Sequence, residues 1–242
     1  MNPKAMEPFG MALRAHFEGS PNVKLIVRRD DGKEATLPAS VFFREPAEFT
    51  DIEKTAIEVS EGRVLDIGAG AGSLSLALRA MGHPVTAVDV SSHAAAILRE
   101  RGVEHVYCAD VLEFQGGPFD TLLMMGHGIG MVESVEGLDR FLRKAHELLA
   151  PNGQLLLDSL DVRVSEDPDN MAYLEANRRA HRYIGEIRIQ FEFEGQRGPF
   201  CGWLHIDGDT LSKHAVSTGW QSQIVRREQT GDYLARLIKG AG

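Results

Sequence analysis

Between about residues 52 and 160 the chain alternates short, almost wholly apolar runs with stretches of helical periodicity. The runs are 63–67, 85–89, 105–108, 121–125 and 154–158. Runs of this length without polar alternation are what strands buried on both faces of a parallel sheet require. Helical patterns lie between them, around 73–81, 92–101 and 137–149. Ser91 or Ser92 suits the N-cap of the second, and Gly82 and Gly102 stand where helices end. Pro151-Asn152-Gly153 stops the third helix and turns the chain into the fifth strand. Regular strand–helix alternation predicts an α/β fold, a doubly wound, mostly parallel sheet with right-handed crossovers.

The flanks have a different texture. Residues 1–50 read as an irregular N-terminal extension with one small hairpin, 24–27 against 34–37, turning at Asp30-Asp31-Gly32-Lys33. Residues 186–194 alternate apolar and polar with period two, as a half-exposed antiparallel strand does, with 200–206 as the partner across 195–199. A helix at 209–217 and strands at 220–227 and 232–239, joined at Thr230-Gly231, close the chain. The expected organisation is therefore an N-terminal lid over 1–50 and an α/β core over 51–160. An inserted hairpin capping the substrate spans 161–207, and 208–242 holds the helix and last two strands of a seven-stranded sheet.

Composition narrows the function. The chain has 242 residues, 43% hydrophobic and 25% charged, the profile of an ordinary globular protein. No apolar run approaches the roughly 18–20 residues of a membrane span, and the first residues lack a signal-peptide layout. Cys108 and Cys201 are too few for a disulfide framework or a zinc site, so no metal and a reducing, cytoplasmic setting are expected. A formal charge of −9 argues against nucleic acid as the main partner, since backbone binding rests on a basic face. The one basic cluster, Arg178-Arg179-Ala180-His181-Arg182, reads as a solvated helix face.

The first strand runs into Gly68-x-Gly70-x-Gly72-Ser73. Glycines there let the backbone turn sharply and approach a ligand, and the helix that follows presents free N–H groups. A nicotinamide or flavin turn, Gly-x-Gly-x-x-Gly, would need glycine where Ser73 stands. Asp66, two residues before the first glycine, adds a carboxylate suited to a cationic amino group or a bridging water. Asp89 ends the second strand, where an acid can take both hydroxyls of a ribose. Asp110, just past the third strand, puts a further acid beside the same crevice, able to accept from an adenine amino group.

These residues resemble the class I S-adenosylmethionine-dependent methyltransferase family. The resemblance is carried by Val64–Gly72, Asp89, Ala109-Asp110-Val111, Leu148–Leu155 and the ending from Ala215 into Trp220 and two final strands. It implies a Rossmann-like sheet whose last strand inserts antiparallel between the fifth and sixth. It also implies S-adenosylmethionine as cofactor, leaving S-adenosylhomocysteine as product. Gly68, Gly70 and Gly72 would pack on its methionine part, Asp89 would hold the ribose and Asp110, with Val111 in its motif, the adenine; Asp66, Ala69, Val90 and Gly126 complete the site.

The acceptor side reads less directly. The fourth strand delivers Gly126-His127-Gly128 to the carboxyl end of the sheet, and the fifth delivers Asp158. His127 is the candidate general base, or else a wall of the pocket, and Asp158 is a candidate to orient the acceptor. Phe43 and Arg44 from the N-terminal lid and Tyr183 and Trp203 from the insertion are the expected acceptor contacts. The reaction expected is methyl transfer to O, N, S or C of a small molecule, by a monomer or homodimer. An NAD-dependent oxidoreductase and a non-catalytic cofactor-binding module are the alternatives; missing glycine at 73 and the acid at Asp110 count against the first.

Overall fold

Two sheets organise residues 1–239, the part of the chain that this computed structural model describes. In chain order the elements are α1 (Glu7–Phe17), β1 (Lys24–Arg29), β2 (Glu34–Pro38), α2 (Asp51–Glu58), β3 (Val64–Ile67) and α3 (Ser73–Ala80). Then come β4 (Val85–Asp89), α4 (Ser92–Glu100), β5 (His105–Cys108), β6 (Phe119–Met124), α5 (Val135–Leu148) and β7 (Leu149–Leu160). The last third holds α6 (Pro168–Arg179), β8 (Glu186–Phe193), β9 (Gln196–Arg197), β10 (Cys201–Leu204), α7 (Gly208–Ser217), β11 (Trp220–Arg227) and β12 (Asp232–Lys239).

The larger sheet has seven strands in the order β11-β12-β7-β6-β3-β4-β5. β7, β6, β3, β4 and β5 pair in parallel, and β12 runs antiparallel between β7 and β11. From β3 the chain winds outward through β4 to β5, then returns to β6 on the other side of β3. That reversal opens a crevice between the carboxyl ends of β3 and β6, where ligands of open α/β sheets bind. The central strands are buried over most of their length, and Leu65, Leu122, Leu155 and Leu157 join α5's Leu138, Phe141 and Leu142 in the main core. β5 departs from the expected two-sided burial: Tyr107 and Cys108 are exposed, because this strand is the free edge of the sheet.

The smaller sheet unites the two flanks. β1 pairs with β2 on one edge and with β8 on the other, and β8 pairs in turn with β10. The N-terminal hairpin and the 161–207 insertion are therefore one antiparallel cap, with Leu25, Ile189, Phe191 and Phe193 buried beneath it. Residues 1–50 are also less irregular than their sequence suggests, since Glu7–Phe17 is a helix. Its Gly10, a poor helix former in mid-helix, hides that; α1 is held by packing on α4 and β8. The start of α2 is a capping box, with Thr50 and Glu53 exchanging hydrogen bonds. Among the described residues no helix is long and apolar enough to cross a membrane.

Candidate active site

The turn after β3 is built from backbone that only glycine adopts freely. Gly68, Gly70 and Gly72 have φ of 71°, 56° and 86°. Nothing stands within 4 Å of where a Cβ at Gly70 would be, so that peptide borders open space. Asp89, at the end of β4, ties this turn to the next: its carboxylate accepts from Gly70 N at 2.9 Å and Ser91 N at 2.8 Å. Asp66 lies beneath the turn, 3% exposed, accepting the Ser75 hydroxyl at 2.6 Å. Burial pushes its carboxyl up to about 6, the Ser75 bond opposing and the Asp89 charge adding. It shapes the turn from below rather than lining the crevice.

The crevice itself is lined by Gly68, Asp89, Val90, Asp110 and Val111, with Met131, Glu133, Arg140 and the Met1 side chain around them. The sequence expectation thus has five of its cofactor residues in one cleft. Ala69, Gly70, Gly72 and Gly126 belong to the turns that frame it. Asp89, Asp110 and Glu133 bring three carboxylates to the cleft and Arg140 and the Met1 amino group two cations, the latter 2.7 Å from Asp110 and 3.9 Å from Glu133. Met131 and Glu133 were not expected: Met131 lies within the 3-10 turn Gly128–Val132 and Glu133 just after it, and no periodicity records the path of that turn over Gly68. An open glycine turn and a carboxylate at the end of the neighbouring strand together fit an adenosine derivative.

Beside the cleft the loop after β6 carries His127 in the left-handed region, φ 56° and ψ 27°. For a residue with a Cβ this conformation costs about 1–2 kcal/mol, so contacts must hold it. Its backbone N–H donates to Asp158 at 2.9 Å, and its ring Nε2 lies 2.8 Å from Asp232. His205 packs edge-on against the ring, with centroids 5.6 Å apart. Burial draws the His127 pKa down, but the Asp232 hydrogen bond and the charges of Asp158 and Asp232 outweigh it, leaving the net shift upward. Burial pushes Asp158 up to about 6, against the pull of His127 and with the Glu53 charge adding. His205 goes the other way, to about 4, through burial first and the neighbouring His127 second, so it stays neutral.

The expected acceptor contacts fall in different places. Phe43 packs on His16 and Phe17, with ring centroids at 4.7 and 6.2 Å, and under Arg101; it joins α1 to α4 instead of lining the cleft. Arg44 donates to Glu53 at 2.5 Å, one carboxylate removed from Asp158. The Tyr183 hydroxyl is engaged by Asp207, the N-cap of α7, at 2.7 Å. Trp203, on β10, lies directly over Gly130 and brings the cap onto the His127 loop. Asp232 and His205 went unremarked in the sequence. The signal for Asp232 was an acid opening a strand that inserts antiparallel beside the fifth, which sets it at that strand's carboxyl end.

Comparison with known proteins identifies the family and the fold. A family model described as a methyltransferase domain matches residues 43–200. A relative named ubiquinone biosynthesis O-methyltransferase, from Xanthomonas euvesicatoria, is 34% identical over 115 residues, 44% of this chain and 46% of its own. Its namesake from a Caulobacter species is 40% identical over 107 residues, 41% of each. The chain thus spans under half the length of these curated relatives. A crystal structure of an S-adenosylmethionine-dependent methyltransferase from Bacteroides fragilis, in complex with S-adenosylhomocysteine, is similar over the whole length. It is 29% identical, with a TM-score of 0.86, covering 100% of this chain and 98% of that one. The CcbJ methyltransferase from Streptomyces caelestis shares the fold, at a TM-score of 0.60, 13% identity and coverage of 79% and 89%.

Proposed function

This chain belongs to the methyltransferase-domain family, and we propose that it methylates an oxygen of a small-molecule acceptor with S-adenosylmethionine as donor. The observation that carries the reading is the single cleft joining Gly68, Asp89 and Asp110 at the switch point of the sheet. There Asp89 would hold the ribose, Val90, Val111 and Asp110 the adenine, and the Gly68–Gly72 turn the amino-acid end. The cofactor supplies a methyl group already activated on a sulfonium sulfur. The protein's part is then to position the acceptor, exclude water and receive a proton.

His127 is the residue we assign to the proton. Its pKa is held up by two carboxylates, which suits a group that must take a proton from a hydroxyl near neutral pH. Asp158 sets the loop that presents it, and Trp203 closes the cap side. The oxygen assignment draws on this base and on the O-methyltransferase names of the relatives. A chain of net charge −9, working as a monomer or homodimer in the cytoplasm with a small acceptor and no nucleic acid, completes the reading.

Calorimetric titration with S-adenosylmethionine, S-adenosylhomocysteine and NAD tests the cofactor. Micromolar binding of the first two with NAD silent is expected, and Asp89→Ala should weaken it tenfold or more, about 1.4 kcal/mol. Binding of NAD alone would overturn the reading. Release of S-adenosylhomocysteine with catechols and hydroxybenzoates, but not with alkylamines, is the matching result for the acceptor.

A further inference from the structure

The turn between β11 and β12 delivers a carboxylate that the cofactor cleft does not use. Because β12 runs antiparallel to β7, Leu234 pairs with Asp158 and Asp232 stands two residues further on. Opposed residues share a face of the sheet, as do residues two apart in a strand, so Asp158 and Asp232 lie on one face. Both reach the His127 loop, and they divide the task. Asp158 Oδ1 takes the backbone N–H of His127 at 2.9 Å, while its Oδ2 is 4.0 Å from the ring. Asp232 Oδ1 takes the ring itself, 2.8 Å from Nε2.

Asp232 is braced in turn. Thr230 Oγ1 donates to Asp232 Oδ2 at 2.6 Å, and Glu228 N donates to the Asp232 carbonyl at 2.8 Å. Asp161 N donates to Gly231 O at 3.0 Å, pinning the turn to the end of β7. An ionised carboxylate can only accept, so the imidazole nitrogen facing it must carry hydrogen. The other nitrogen, Nδ1, has no hydrogen bond among the described residues and is not sealed from solvent. We propose that Asp232, steadied by Thr230, is a positioning residue that fixes His127 in the Nε2–H tautomer and leaves Nδ1 as the nitrogen that takes the acceptor's proton.

The proposal rests on the reading of His127 as the base. In the step itself the hydroxyl O–H bond would break and its proton would go to Nδ1; the oxygen would keep the electron pair and form the new bond to the methyl carbon, whose bond to sulfur would break with its pair left on sulfur. The imidazolium so formed faces Asp232 from β12 and Asp158 from β7. The third titratable neighbour, His205 beyond β10, is buried and neutral and adds no opposing charge. Removing Asp232 therefore removes both the tautomer lock and the nearer of two stabilising charges.

The tautomer readout needs neither cofactor nor acceptor. Long-range proton–nitrogen NMR on the full chain labelled at histidine nitrogens reads tautomer and titration midpoint, with His127→Gln identifying the ring among nine histidines. The wild-type ring should be protonated on Nε2 when neutral. Asp232→Asn should mix the tautomers and lower the midpoint by about half a unit or more; Asp232→Glu should restore both in part. Thr230→Ala, a milder change at the brace, should move both the same way by less. A wild-type ring protonated on Nδ1, or a midpoint unmoved by Asp232→Asn, would overturn the proposal. So would loss of S-adenosylmethionine binding in a folded Asp232→Asn protein, since that would make Asp232 part of the cofactor site. Failure of the methyl-transfer reading shows elsewhere, as wild-type protein that does not bind S-adenosylmethionine.

Discussion

Asp66 is buried where ionisation is opposed, yet it sits in the strand that launches the glycine turn. Its pKa is raised from the ordinary 3.8 to about 6, so the folded protein holds this proton more tightly than the unfolded chain does. Its contribution to stability is then complete below about pH 4 and lost as pH rises through about 6. Asp66→Asn keeps an acceptor for the Ser75 hydroxyl but has no proton to lose. Relative to wild type it should gain on the order of 2–3 kcal/mol between pH 4 and pH 7. Urea unfolding of both proteins at several pH values gives the difference directly, and Asp158, which shares the same range, cancels in it. A flat difference would mean that Asp66 titrates as an exposed acid.

At the scale of elements α1 and α4 fit closely. Gly10 lies mid-helix in α1, where a Cβ would run into Ser91 Oγ and come within 3.0 Å of His93 Cβ. Ser91 is the N-cap of α4 and also donates its backbone N–H to Asp89, so the contact reaches the edge of the cleft proposed for the cofactor. In a free helix Gly→Ala would stabilise by about 1 kcal/mol. Here overpacking costs about 1–3 kcal/mol and should reverse the sign. Gly10→Ala is expected to lower the urea midpoint and to weaken S-adenosylmethionine binding with it. A stabilised protein would show that α1 does not press on the start of α4.

On the scale of the whole molecule, the cap is one sheet drawn from two parts of the chain more than 140 residues apart, with Val27 opposite Phe191. Leu25, 1% exposed on β1, sits in the apolar layer under that sheet with Ile189 and Phe191. Leu25→Ala should cost about 2–5 kcal/mol of cap stability. Because the strands exchange backbone hydrogen bonds, hydrogen exchange should quicken over 24–38 and 186–204 together. Faster exchange in the first segment alone would show that the insertion holds itself. Trp203 links this cap to the loop of His127, so a loosened cap should also reach the site.

The local pattern of residues determined the frame of this protein. Unbroken apolar runs, helix stops at Gly82 and Gly102, and Gly68-x-Gly70-x-Gly72 specified a parallel sheet with a ligand turn at its switch point. Such features depend on neighbours within a few residues, which is why they are legible in one dimension. Even the last two strands, 220–227 and 232–239, could be read with their bounds. What the sequence left open depends on contacts between distant segments. The helix at 7–17 forms because α4 and β8 receive it, and Phe43 serves that packing rather than the cleft. Tyr183 became the anchor of a helix cap. Asp232 faces His127 across 105 positions of chain only because one strand inserts antiparallel between two others. Tertiary structure decided these pairings, since a hydrogen bond is set by distance in space, and spacing along the chain carries almost no information about it.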